Sequence, residues 1–175
     1  QKINEKTEDF RLGIDGLMSG YLMLKGAKGL DLIDETKLAN RDIPFSETYS
    51  AMQALRFMWK YADGRIDKER LKESMRILLD RPELSDLVIA DLARWKDWSI
   101  QDRLMTMYSD ENYDIPAIRR AVVRYLYYCS QEKNEPGADG TRTSTDDAVK
   151  AEANMRLVEA LDPKTVSDAK RYFIR

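Results

Sequence analysis

At 175 residues the chain is long enough for one domain that buries roughly 70% of its unfolded surface. Its 43% apolar and 34% charged residues exclude a disordered chain, and the best candidate for a bilayer span, LGIDGLMSGYLML, is short and broken by Asp15. A net charge of −2 and a pI near 5.4 give no global positive field, so neither nucleic acid nor a membrane span is expected.

Helical periodicity governs the first segment, where Phe10, Ile14, Leu17, Tyr21 and Leu24 share one stripe. Gly13, Gly16 and Gly20 gather on another face of the same helix. Each glycine costs about 1 kcal/mol of helix stability relative to alanine, and close approach of a neighbouring helix is the compensation expected there. KGAKG then turns the chain, and LDLIDETKLAN reads as a shorter helix ending near Asn40. The next helix carries Tyr49, Met52, Leu55 and Trp59 on one stripe, widened by Ala51, Ala54 and Met58, a surface broad enough to pack between two neighbours. After the turn ADGRID, KERLKESMRILLD faces inward through Leu71, Met75, Leu78 and Leu79. PELSDLVIADLARWKD buries Leu84, Val88, Leu92 and Trp95; its partner DWSIQDRLMTMYSD buries Ile100, Leu104, Met107 and Tyr108. PAIRRAVVRYLYYCSQ places Ile118, Val122, Tyr125, Leu126 and Cys129 inside. Residues 131–147, rich in Gly, Ser, Thr and Asp, predict a long exposed loop. DAVKAEANMRLVEAL resumes as a helix, and DPKTVSDAKRYF starts a last short one. Period-two alternation is absent over any useful length, so no sheet is expected.

Asp-x-Pro occurs at Asp42, Asp80 and Asp114, each time just ahead of an apolar run. Proline is tolerated in the first turn of a helix, where an N–H would lack an intrahelical partner. An aspartate just ahead suits the orphan N–H groups and the positive end of the dipole, so the motif predicts a helix start with an aspartate cap. Pro44, Pro82 and Pro116 are 38 and 34 residues apart, and each interval holds two helices and two short turns. That period predicts an all-α chain, an α-solenoid of antiparallel helix pairs with about nine helices, forming a single helical-repeat domain over 1–175.

DIPAIRRAVVRYL resembles the first helix of a HEAT repeat: a loop aspartate, an early proline, a basic residue after an aliphatic one, then small and aliphatic residues. The resemblance covers 42–130. PFSETYSAMQALRF and DLVIADLARWKDWS are also similar to uncharacterised bacterial proteins of helical-repeat type, which carry no known activity. A HEAT-like build implies scaffolding and protein binding, by analogy of fold.

Chemistry-bearing motifs are sparse. Histidine is absent, which removes Ser-His and Cys-His nucleophile pairs, His-based zinc sites and the commonest general base. Cys129 is the single cysteine and reads as a buried inert thiol, so no disulfide is expected. The Gly-x-x-Gly of LKGAKGLDLI, beside Lys25 and Lys28, lacks the strands an RNA-clamping KH loop needs and reads as a helix–helix turn. Calcium loops starting at Asp63 and Asp139 fail, because the twelfth positions are Ser74 and Lys150 rather than glutamate. Carboxylates such as Asp31, Asp34 and Glu35, or Asp146 and Asp147, stand in no apolar run that would raise a pKa. No cofactor, metal or catalytic residue is expected.

RWKDWSIQDR is the densest cluster of interaction-type residues, with Trp95 closing one helix core and Trp98 packing on the next. Arg119, Arg120 and Arg124, with Arg56, form a basic stripe that reads first as surface ion pairs. In a curved solenoid, second helices often line the concave side, which makes Arg70, Arg76 and Arg103 candidate partner-binding residues, and Trp98 of the RWKDWSIQDR cluster is the fourth. The function expected is a non-catalytic interaction or scaffold module, its partner another protein or another domain of a larger parent chain. The alternative is a small-ligand carrier or enzyme with a pocket between helices lined by Trp, Tyr and Arg. A start at Gln1 fits a cleaved secretory signal or a fragment, leaving a periplasmic or secreted location open.

Overall fold

A computed structural model describes residues 13–137 and 140–171. Among these residues the chain is all-α, 76% helical with nine α-helices and no strand; the one β-like feature is an isolated bridge between Lys133 and Ser144. No described helix is long and apolar enough to cross a membrane. The chain divides between Leu78 and Leu79 into two compact units, each with its own core.

The first unit contains α1 (Ile14–Lys25), α2 (Ala27–Ile33), α3 (Phe45–Tyr61) and α4 (Lys68–Ile77), with α2 running into a π-helical turn at Asp34–Leu38. α3 packs on α1, α4 and the π turn. It buries Ala51, Met52, Ala54, Leu55 and Met58, so its broad apolar stripe is used as its sequence suggests, with Tyr49 and Trp59 half-buried at the edges. α4 buries Leu71 and Met75, and Leu78 and Leu79 follow in a 3-10 turn, as read from the sequence. α1 differs from expectation. Its inner side is Met18, Ser19 and Leu22, while Leu17 and Leu24 are 73% and 78% exposed. The helix is apolar on two adjacent stripes, and periodicity cannot choose between stripes only about 100° apart. Phe10 lies outside the described residues.

The glycines of α1 also behave differently from expectation. A Cβ on Gly16 or Gly20 would meet nothing within 4 Å, so no neighbouring helix is closing on them. The close approach is at Gly29, where a Cβ would fall 2.7 Å from the Lys25 Cβ and 3.0 Å from the Tyr21 ring. The turn between α1 and α2 is made by Gly26, whose φ of 62° is open to glycine.

The second unit contains α5 (Pro82–Arg94), α6 (Gln101–Tyr108), α7 (Pro116–Ser130), α8 (Asp146–Leu161) and α9 (Pro163–Lys170). α7 touches α5, α6, α8 and α9, and buries Ile118, Val122, Val123, Tyr125, Leu126 and Cys129. Each fully buried aliphatic or aromatic side chain of this kind contributes about 1.5–3 kcal/mol. The inward residues expected for α5 and α6 are buried as well. The loop after α7 is largely exposed and folds back on itself, with the Asn134 amide donating to the Thr143 carbonyl at 2.9 Å.

Pro82, Pro116 and Pro163 occupy the first turns of α5, α7 and α9, and Pro44 directly precedes α3. The aspartates of Asp-x-Pro do not cap. The residues at the cap positions of α5 and α7 are Arg81 and Ile115, in the extended conformation that a following proline imposes. That spacing leaves each aspartate one residue too far out, and it forms an ion pair instead: Asp80 with Arg103 at 2.7 Å, Asp114 with Arg119 at 3.0 Å. Side-chain caps come from Asp67, Thr145 and Asp162, which sit directly at the helix start.

Candidate functional site

A groove with convergent chemistry lies in the second unit, in the valley between α5 and α7. Its floor is Ala90 and Ala93 from α5 and Ala117 and Ala121 from α7. Short side chains at these four positions leave a groove of about 750 Å³, within the size range of ligand sites. Its rim is exposed at Arg94, Lys96 and Tyr128, so the groove opens to solvent.

Trp98 forms one end. It is half-buried and meets the fully buried Tyr125 ring edge-on, 5.2 Å between centroids and 73° between planes. The Tyr125 hydroxyl donates to the Asp97 carbonyl, one residue before Trp98, and burial raises the phenol's pKa. A core side chain thereby fixes the backbone that presents the groove's tryptophan.

Lys96 enters through an unusual turn. α5 ends with the Asp97 amide bonded to the Leu92 carbonyl and the Lys96 amide bonded to the Ala93 carbonyl, the paired pattern of a Schellman cap. The residue at its left-handed position is ordinarily glycine, yet here it is Lys96, with φ 53°, the one non-glycine residue with positive φ among the described residues. A lysine in this conformation costs about 1–2 kcal/mol. The turn carries the ammonium to 2.9 Å from Glu132, past the end of α7.

Four cations, Arg94, Lys96, Arg120 and Arg124, face two carboxylates, Asp86 and Glu132. Arg94 is paired with the buried Asp91 at 2.9 Å. Arg120 makes no hydrogen bond or ion pair among the described residues. The groove therefore carries positive charge over an apolar floor with aromatic rings at one end.

Of the residues singled out from sequence, Trp98 belongs to this groove and the three arginines lie elsewhere. Arg70 is half-buried in the first unit, where it bonds Asp31 at 2.8 Å, Asp34 at 2.6 Å and Ser74 at 2.7 Å. Burial pulls its pKa down, but the bonds to Asp31 and Asp34 outweigh that and the pKa is raised. Arg76 pairs with Glu69 on its own helix, and Arg103 on α6 pairs with Asp80. The basic stripe expected from Arg56, Arg119, Arg120 and Arg124 separates. Arg119 turns to Asp114 and Asp162 and stacks over Tyr108 at 5.3 Å, while Arg120 and Arg124 line the groove. Trp95 is buried, as expected of a core tryptophan, and Trp59 meets the Lys68 ammonium at 5.4 Å. Lys96 and the alanine floor escaped sequence reading. The missing glycine after α5 was the available signal for the first; alanines on a helix carry no signal for the second.

A second depression, about 490 Å³, lies between α1 and α3 over Gly16 and Gly20, walled by Met23, Phe57 and Tyr61. Among the described residues, no group of three or more acidic or cysteine side chains is placed to hold a metal ion. Comparison with protein-family models, with curated proteins and with solved structures finds no match to this chain.

Proposed function

We propose that the chain is a non-catalytic protein-binding module of HEAT-like helical-repeat build, and that its second unit receives a segment of another polypeptide in the α5–α7 groove. Packing between alternate helices, α1 with α3, α5 with α7 and α7 with α9, supports the repeat reading, because stacked helical hairpins bring first helices together in this way. The observation that carries the binding reading is the excess of guanidinium and ammonium groups over a floor of four alanines, beside the exposed Tyr128 and the half-buried Trp98. Arginine and aromatic residues are the types that dominate interface energetics. A small-ligand carrier is the second reading, since a groove of this volume with Trp98 at its end also suits a ring-bearing acid.

Site-directed photo-cross-linking distinguishes the two. A benzoylphenylalanine replacing Leu87, on the groove's edge, is expected to capture a discrete polypeptide in an extract of the native source. The same group replacing Arg156 on α8 is expected to capture none, and Arg120→Glu is expected to abolish the adduct. Absence of any polypeptide adduct at 87, or identical adducts at 87 and 156, overturns the module.

A further inference from the structure

Resting on that reading, we infer that the segment received in the α5–α7 groove is of mixed charge, bringing a carboxylate to Arg120 and a basic side chain to Asp86. Six charged groups line the groove, and the chain itself accounts for four of them. Arg94 is paired with Asp91 at 2.9 Å, Lys96 and Glu132 with each other at 2.9 Å, and Arg124 has an interaction of its own. Asp86 on α5 and Arg120 on α7 are left. Neither makes a hydrogen bond or ion pair among the described residues, and they do not pair with each other across the groove. Both are half-buried. A charge held partly out of water loses hydration, and without a counter-charge nothing offsets that loss. One unmatched anion and one unmatched cation on opposite walls define what an occupant must carry.

The two lie at the same end of the groove. Each is the fifth residue of its helix, and the helices run the same way, since Lys96 just past the end of α5 meets Glu132 just past the end of α7. Trp98 closes the opposite end, with Ala90, Ala93 and Ala121 between. An occupant therefore sets its charged pair against Asp86 and Arg120, and an apolar side chain on the alanine floor toward Trp98. Charge acts here mainly as a filter. A wholly acidic segment sets a carboxylate against Asp86, a wholly basic one sets an ammonium against Arg120, and like charges brought together disfavour either. A mixed pair satisfies both walls.

The test is isothermal titration calorimetry with synthetic peptides, acetylated and amidated so that their ends carry no charge. One set holds a lysine and a glutamate, in both orders and with a graded number of alanines between them, followed by Leu-Phe. Two further sets replace both charged residues by glutamate or both by lysine. The tightest mixed peptide is expected to bind better than its all-glutamate and all-lysine counterparts. Asp86→Ala and Arg120→Ala are each expected to weaken it about two- to fivefold, the range of exposed pairs, while Arg142→Ala in the loop leaves it unchanged. Asp86→Lys is expected to turn the preference to the all-glutamate set, and Arg120→Glu to the all-lysine set. Helical circular dichroism of every variant verifies folding. Binding by no peptide, a parent chain that prefers either single-sign set, or a preference that ignores both charge reversals overturns the inference. Those results leave the protein-binding module standing if Leu87 still cross-links a polypeptide, whereas mixed-peptide binding that obeys both reversals without any polypeptide adduct sinks the module alone.

Discussion

Lys96 shows how a single backbone angle separates stability from use. Glycine would satisfy the turn after α5 without the cost that a β-carbon brings in the left-handed region. Against that relief stand the loss of an exposed ion pair to Glu132, worth at most about 1 kcal/mol, and the greater freedom of glycine in the unfolded chain. Lys96→Gly is therefore expected to raise stability by about 0.5–1 kcal/mol, or about 1–4 °C in Tm for a chain of this length. Thermal melts followed by circular dichroism read the effect. A fall in Tm would mean that the turn's geometry depends on the lysine itself, and that the strain assigned to it is illusory.

At the scale of single helices, the glycines of α1 and α2 invert the ranking their sequence suggests. Gly16 and Gly20 look like a helix-contact face, and the structure leaves that face open; Gly29 looks like part of a turn, and it is the crowded one. Gly16→Ala and Gly20→Ala are expected to stabilise the first unit by about 0.5–1 kcal/mol each, the ordinary propensity gain. Gly29→Ala gains the same propensity but must force its methyl against the Lys25 Cβ and the Tyr21 ring, an overpacking that costs about 1–3 kcal/mol. Urea unfolding curves are expected to rank Gly20→Ala above the parent and Gly29→Ala below it; the reverse order would show the α1–α2 corner to be slack. The same scale shows what sequence reading can reach. Proline positions in α5, α7 and α9 were legible because proline's missing N–H and fixed φ act within one residue. Aspartate caps at Asp80 and Asp114 were misread because the pre-proline residue takes the cap position, a constraint that shifts the register by one. Leu17 and Leu24 were misread because an exposed apolar stripe has the same period as a buried one.

Across the whole chain, helical class and the second unit's core were legible, since Leu84, Val88, Leu92, Tyr125 and Leu126 recur at helical spacing between proline signals. The groove was not, because it is defined by what four alanines leave unfilled and by which arginines face one another across two helices. Trp98, Arg70, Arg76 and Arg103 were all singled out as residues of interaction type; Trp98 lines the groove and the three arginines are held in ion pairs, a distinction that needs coordinates. The integrity of the second unit can be followed through its thiol. Cys129 is buried on α7, accepts from the Gln101 amide at 3.6 Å, and lies 3.4 Å from the Asp147 carbonyl. Burial, reinforced by the nearby Asp147 and Glu132 charges, pushes its pKa up to about 12. At pH 8 the native thiol is thus both neutral and shielded, and iodoacetamide can reach it only when α7 comes away from its neighbours. Labelling then proceeds at the unfolded thiol's rate multiplied by the population of the open state. Leu126→Ala removes a fully buried side chain one turn before Cys129 and is expected to cost about 2–5 kcal/mol, accelerating alkylation roughly 30-fold to several thousand-fold. Mass spectrometry of timed aliquots measures both rates. Rapid labelling of the parent chain, or equal rates in the two, would mean that the thiol is reached by fraying near the loop after α7 and that the core around Tyr125 and Leu126 does not hold the groove's walls as a unit.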